Sequence, residues 1–393
     1  MVYSASAPSA LTGGSGAGAL VRFVGFGAVG LVILRIVSRM SLDVVRRLTG
    51  PLLGIAFLAL LAVRVPGIGH STLGALKSER WIGAGPFQFE PSELMKLALV
   101  LYAAHIFATG RGSVRNVTTA FKRLVLVGGA ACLLVATQPD IGTTLVICFA
   151  MVAVILVAGV PTRYLLVAGV ACVALIGAFA LAEPYAAQRL TSFTDPWAHA
   201  QTSGFQSVQS QIAIGSGGLF GRGPGQSVQK DYWLPEAPTD FILSVVGEEL
   251  GFVGIAVLLA LYGLIAHAGL RAARATRDPY RALIAVGVTG VILFQALLNA
   301  FAVLGIAPVT GVPLPFVSYG ASNMLVLLAG MGLLLNVARG DRAHMRAVDR
   351  TPGAKPRRSE HVRSGADRDR GGRDGRARRA GPGGRGRAAG AGS

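Results

Sequence analysis

Charge is scarce in this chain: Asp, Glu, Lys and Arg make up only 14% of its 393 residues. That is too little for an ordinary water-soluble domain, and the mean hydropathy of +0.56 points the same way. Cysteine is scarcer still. Cys132, Cys148 and Cys172 lie in apolar runs without CxxC spacing, which excludes a zinc site or a disulfide framework and leaves packing. The alternating ten-residue segments of a transmembrane barrel are also missing. Residues 1–21 hold no charged side chain, so the start does not read as a signal peptide, which needs a basic stretch before its apolar core. Met1-Val-Tyr-Ser-Ala-Ser-Ala7 reads instead as the outer end of a helix, and the expectation is a first helix that begins upstream of Met1. The alternative is a nine-helix protein with a translocated, uncharged N-terminus.

What the chain does have is long apolar runs. A bilayer core of roughly 30 Å takes about 20 apolar residues at ~1.5 Å rise each. Candidate spans fall at 21–39, 48–65, 93–108, 123–138, 141–160, 164–182, 243–268, 280–304 and 316–338. The expected fold class is therefore an all-α polytopic membrane protein. Segments 39–47, 109–123 and 269–281 are rich in arginine, and Arg163 marks the turn after Pro161. The alternate segments 66–92, 183–242 and 305–315 are poor in Lys and Arg for their length. The positive-inside rule places the basic set, and the C-terminus, in the cytoplasm of a multi-pass plasma-membrane protein.

Two domains are expected: a membrane domain at 1–338 and a disordered basic tail at 339–393. The tail carries sixteen Lys and Arg against six Asp and Glu, with almost no large apolar residues. Its composition favours contact with anionic lipid, or no specific partner, over nucleic acid, and no nucleic-acid partner is expected.

Polar residues gather in the outward segments, where a membrane protein usually carries function. Glu93 and Lys96 are spaced i, i+3 at a helix start, either as an internal ion pair or as a cation offered to an anionic headgroup. Asp140, in Gln138-Pro-Asp-Ile-Gly142, suits a helix cap. The long loop 183–242 holds a short amphipathic piece, 205–214, suited to the membrane surface. Its glycine-rich stretch 215–225 suits close backbone approach to a ligand and lacks the GxxxxGK[ST] pattern of a nucleotide loop. Residues 222–251 then concentrate Arg222, Lys230, Asp231, Glu236, Asp240, Glu248 and Glu249.

These stretches occur in an order that resembles the SEDS family, which includes FtsW, RodA and SpoVE. The matching pieces are Arg80-Trp-Ile-Gly, Pro91-Ser-Glu-Leu, Gln138-Pro-Asp-Ile-Gly-Thr, Phe193-Thr-Asp-Pro-Trp197, Gly204-Phe-Gln with Gln209-Ser, and Gly218-Leu-Phe-Gly-Arg-Gly. Ser227-Val-Gln-Lys, Leu234-Pro-Glu-Ala, Thr239-Asp-Phe-Ile, Gly247-Glu-Glu-Leu-Gly and Pro313-Leu-Pro-Phe-Val-Ser-Tyr-Gly320 follow. Ser-Val-Gln-Lys with Leu-Pro-Glu-Ala is more similar to the FtsW and SpoVE branch.

The resemblance implies ten helices, the first truncated here, and a long extracytoplasmic loop between the seventh and eighth. It implies polymerisation of lipid II into glycan strands beside a class B penicillin-binding protein, within division or elongation machinery. On it, Asp240 matches the essential carboxylate and is the expected general base. Lys96, Arg222 and Lys230 are the candidates for the lipid pyrophosphate, with a divalent cation (Mg or Mn) as candidate cofactor. Glu93 and Glu236 are further substrate-binding candidates. Glu248 and Glu249 are supporting ones, of which one is expected to pair with Lys96 and the other to bind an ion or cap.

The chain departs from the family at Pro238, His199-Ala200, Tyr319-Gly-Ala-Ser-Asn323 and Lys77-Ser-Glu79. Two alternatives stay open: a lipid II transporter that makes no bond, and a scaffold for the transpeptidase that has lost catalysis.

Overall fold

The protein was analysed as a computed structural model, which describes residues 4–5, 16–65, 67, 69–70, 80–84, 87–109, 114–182, 192–234 and 237–349. Among them the apolar runs become helices: α1 (Gly16–Val37), α2 (Leu42–Ala62), α3 (Pro91–Thr109), α4 (Val114–Ala136), α5 (Ile141–Ala158) and α6 (Thr162–Ala182). After the long loop come α7 (Phe205–Gly217), α8 (Gln229–Tyr232), α9 (Ile242–Ala275), α10 (Pro279–Val303) and α11 (Ala321–Asp349). Eight of these, α1 to α5 and α9 to α11, are long and apolar enough to cross a membrane. They coincide with eight of the nine expected spans. The ninth, 164–182, is the 21-residue helix α6, some of whose side chains lie outside the described set.

The sequence reading missed a small sheet ahead of α3. β1 (Gly69–His70), β2 (Trp81–Ala84) and β3 (Phe87–Phe89) pair antiparallel in the order β1-β2-β3, with Ile82 opposite both Gly69 and Phe89. Helix ends follow local chemistry. Asp140 caps α5 as expected, its Oδ1 accepting the Thr143 N–H at 3.0 Å. Asp278 caps α10 the same way, with Pro279 in the first turn.

The bundle is built around α10, of which 78% of the span is buried, against 6% for α1 at the periphery. α1 presents Val24, Leu31 and Ile36 outward, and α9 presents Val257, Leu261 and Leu264. Such exposed apolar belts suit lipid contact. Cys132 and Cys148 form no disulfide, their Sγ atoms lying 3.7 Å apart, and both pack into the apolar core as expected. The side chain of Cys172 lies outside the described residues.

α9 corrects the expectation of one continuous span at 243–268. Its 34 residues would run about 51 Å as an ideal helix, far more than a bilayer core. It is broken at Gly251, whose φ of 66° and ψ of −165° are not helical. Ile242 to Glu249 form a wholly buried first segment, and the lipid-suited face begins beyond the break. The backbone groups freed there are re-satisfied: Phe252 and Val253 donate to the carbonyls of Gly218 and Leu219 at 2.9 and 3.1 Å.

The expected amphipathic piece is α7, which buries Val208, Ser210, Ala213 and Gly217 against its neighbours. Ser210 Oγ shares a hydrogen bond with Ser244 Oγ of α9 and donates to the Val303 carbonyl of α10. The glycines that follow allow backbone to meet backbone. A Cβ at Gly217 or Gly221 would collide with the main chain of Gly247 or Glu249. α11 runs on to Asp349, beyond the domain boundary set at 338, and the rest of the basic tail lies outside the described residues.

Candidate functional site

Asp240 sits in the turn 237–241, immediately before α9. The helix begins at Ile242, so Asp240 lies ahead of it and shares no helical face with Ser244. Phe241 is the cap residue and makes no side-chain cap bond. The Asp240 side chain is half-buried, neither sealed in the bundle nor free in solvent.

Three bonds fix the backbone of this turn. Asn299 Nδ2, near the end of α10, donates to the Asp240 carbonyl at 2.7 Å and to the Val312 carbonyl at 2.8 Å. Ser318 Oγ donates to the Thr239 carbonyl, and the Tyr319 N–H donates to the Pro238 carbonyl at 2.9 Å. The opposing wall is the loop 305–320. Gly311 there adopts φ 73°, and a Cβ on it would stand 3.5 Å from Asp240 Oδ2. A glycine at that point keeps room beside the carboxylate, and the positive φ disfavours any larger residue. The N-terminus of α5 backs onto the same loop. A Cβ at Gly142 would run into Val312 and Thr310.

One helical turn back from Asn299, Gln295 holds the same loop. Its Nε2 donates to the Pro313 carbonyl and to Asn323 Oδ1 of α11, both at 2.9 Å. Its Oε1 accepts from Lys96 Nζ at 3.0 Å, and Lys96 is paired with Glu93 at 2.8 Å. Lys96 and Glu93 are each about 1% exposed, so this pair is internal to the bundle and ties α3 to α10. Glu93 Oε2 is buried without a hydrogen-bond partner.

The remaining candidates form a second cluster around the first segment of α9. Lys230 Nζ is buried and donates to Glu249 Oε1, Ser4 Oγ and the Gly225 carbonyl, each at 2.8 Å. Glu248 accepts from Ser227 Oγ at 2.6 Å and from the N–H groups of Val228 and Gln229, so it caps α8. Neither glutamate pairs with Lys96, which corrects that expectation: Glu93, one turn away on the same helix, takes the lysine first. Arg222 stays 43% exposed at its side chain, 3.5 Å from Glu248. Of the three cations singled out in the sequence, it is the exposed one. Glu236 and the side chain of Asp231 lie outside the described residues.

Sequence reasoning missed Glu90, Gln295, Asn299 and Gly311. Glu90 sits just before α3, and burial, then the charges of Asp140 and Glu93, push its carboxyl up to about 8. Its Oε1 accepts from Ser92 Oγ at 2.8 Å, and Arg80 beside it donates to the carbonyls of Gln138 and Pro139. Gln295 and Asn299 carried a readable signal, two amides spaced i, i+4 in an otherwise apolar span. Among the described residues no three His, Cys, Asp or Glu side chains gather as metal ligands. The described residues therefore offer no preformed cage for a divalent cation.

The profile of the FtsW/RodA/SpoVE family, described as "Cell cycle protein", matches residues 1–343. Stage V sporulation protein E of Bacillus subtilis (strain 168) is 36% identical over 317 residues, covering 81% of this chain and 86% of that one. A probable peptidoglycan glycosyltransferase FtsW of Geobacter sp. (strain M18) is 35% identical over 320 residues, covering 81% and 84%. A chain solved in a study of how a peptidoglycan synthase complex coordinates polymerization and crosslinking superposes with a TM-score of 0.70. It is 31% identical, covering 86% of this chain and 97% of its own. Thermus thermophilus rod shape determining protein RodA follows at TM-score 0.61 and 30% identity, with 86% and 91% covered. By sequence and by fold, the chain belongs to the FtsW/RodA/SpoVE family.

Proposed function

We propose that this protein is a peptidoglycan glycosyltransferase that polymerises lipid II, with Asp240 as its general base. The observation that carries the site assignment is the setting of Asp240. It is a half-buried carboxylate on a turn fixed by Asn299, Ser318 and Tyr319, with a glycine clearing the space beside it. Burying and bonding a turn this thoroughly preorganises one side chain for chemistry.

In the proposed step, the 4-hydroxyl oxygen of one GlcNAc attacks C1 of MurNAc on a second lipid II. The new C1–O bond forms as the bond to pyrophosphate breaks, inverting the anomeric centre. Asp240 takes the hydroxyl proton, and undecaprenyl pyrophosphate leaves with the bonding electron pair. Arg222, the exposed cation, is the candidate to stabilise the departing charge. Lys96 and Lys230 act one step back, holding the helices whose ends carry the site. The partner fitting this reading is a class B penicillin-binding protein, which crosslinks the new strand. The setting is the plasma membrane, with the site outward and the C-terminus cytoplasmic.

The test is strand formation from labelled lipid II by the purified protein, with and without that transpeptidase. The reading expects polymer that disappears in Asp240→Asn. Polymerisation unchanged by the substitution sinks the assignment of the base. Headgroup translocation in liposomes with no polymer at all sinks the transferase reading in favour of transport.

A further inference from the structure

At the other end of the bundle, the turn between α1 and α2, the start of α10 and the end of the α11 span line an open cavity of about 420 Å³. That lies within the roughly 300–1,000 Å³ of small-molecule sites. Its charged lining is Arg39, Arg46, Arg281 and Arg339 against Asp43 and Asp278, an excess of two positive charges.

The two aspartates do not neutralise it. Asp278 Oδ1 is taken by the Tyr280 N–H at 2.9 Å, and its Oδ2 reaches Arg281 Nε only at 3.5 Å. Asp43 lies exposed in the first turn of α2. Arg46 is held by Tyr280, its guanidinium carbon 4.6 Å from the ring centroid, while its buried Nε has no hydrogen-bond partner. With four arginines against two aspartates, the site is short of an anion. The walls are fixed independently of any ligand. Asn336 Nδ2 donates to the carbonyls of Val37 and Met40 at 3.0 and 2.6 Å, and Arg339 donates to Ser38 Oγ at 3.1 Å. Gly340 leaves room for the Arg281 guanidinium, into which a Cβ would run. The cavity also meets the N-terminus of α2, where Ser41 makes no side-chain cap bond.

The chain's own tail is a poor occupant, because residues 339–393 carry sixteen basic against six acidic side chains. The cavity lies where apolar helices end, at the level of lipid headgroups, on the side the arginine-rich segments assign to the cytoplasm. We propose that it binds a phosphate group, presented by the headgroup of an anionic membrane lipid. Guanidinium groups match phosphate oxygens in bidentate geometry, and basic pockets between helices on the cytoplasmic side suit such headgroups.

Native mass spectrometry of the full chain, titrated with phosphatidylglycerol or phosphatidylcholine, tests this. Wild type is expected to retain phosphatidylglycerol preferentially. Arg46→Gln and Arg281→Gln should each weaken it about fivefold, and Asp43→Asn should tighten it. Arg271→Gln, an exposed charge outside the cavity, should change nothing. Asp43→Asn keeps the test decisive should an arginine variant fail to fold. Displacement by millimolar inorganic phosphate identifies the free anion as the occupant of the same site, and insensitivity to it identifies the lipid. Equal retention of the two lipids, unchanged affinity in the Arg281→Gln and Asp43→Asn variants, or an equal loss in Arg271→Gln overturns the proposal.

Discussion

Asn299 Nδ2 lies 2.7 Å from the backbone oxygen of Asp240, so the candidate base is aimed by a side chain from α10 and not by its own helix. The same nitrogen holds Val312 at 2.8 Å, so one amide sets the distance between the Asp240 turn and the facing loop. Replacing Asn299 with Leu strands both carbonyls, at a cost of about 1–3 kcal/mol for each that stays buried. The expected outcome is a lower thermal midpoint and a lower kcat for strand formation, with KM for lipid II little changed. A positioning role predicts that split, and a fall in stability with kcat intact rejects it.

The Glu93–Lys96 pair predicts a different signature. Both side chains are nearly inaccessible, so Lys96→Met leaves a carboxylate buried without its counter-charge. Breaking such a pair from one side costs about 3–5 kcal/mol, whereas removing both charges is often nearly neutral. Thermal unfolding in detergent should show Lys96→Met strongly destabilised and Glu93→Gln/Lys96→Met largely recovered. A double variant as unstable as the single one argues against the pairing.

Local chemistry was legible in the chain before any fold was known. The Asp140 cap and the Glu93–Lys96 pair each needed only neighbours three residues apart. The partners of Lys230, Glu248 and Glu249 were not legible. Glu249 meets Lys230 across 19 residues and Ser4 across 245, distances that no local pattern encodes. Gln295 and Asn299 were visible as polar residues in an apolar span but carried no charge to draw notice. The break in α9 was hidden because a lone glycine in an apolar helix is common.

That break can be tested with two glycines of one helix. Gly251 has φ 66°, and a Cβ there would collide with the backbone of Gly221 and Leu219. Gly263 lies in the same helix with open space around it. Gly251→Ala is expected to lower the thermal midpoint through backbone strain of about 1–3 kcal/mol together with the collision. Gly263→Ala should be neutral or stabilising by up to about 1 kcal/mol. Equal tolerance of the two substitutions contradicts a broken helix.

Glu90 predicts how stability varies with pH. Burial, Asp140 and Glu93 raise its carboxyl from 4.5 to about 8, against the opposing pull of Ser92 and Arg80. Between those values the folded protein keeps a proton that the unfolded chain has released. Folding is therefore favoured by this group at low pH, and its contribution is lost as pH rises from about 4.5 through about 8. Glu90→Gln mimics the protonated form at every pH. The variant should match wild type near pH 5 and exceed it at pH 8 and above, flattening the slope between. Thermal midpoints measured across that range would show it, and a parallel shift of the whole curve would mean that the carboxyl is already ionised in the fold.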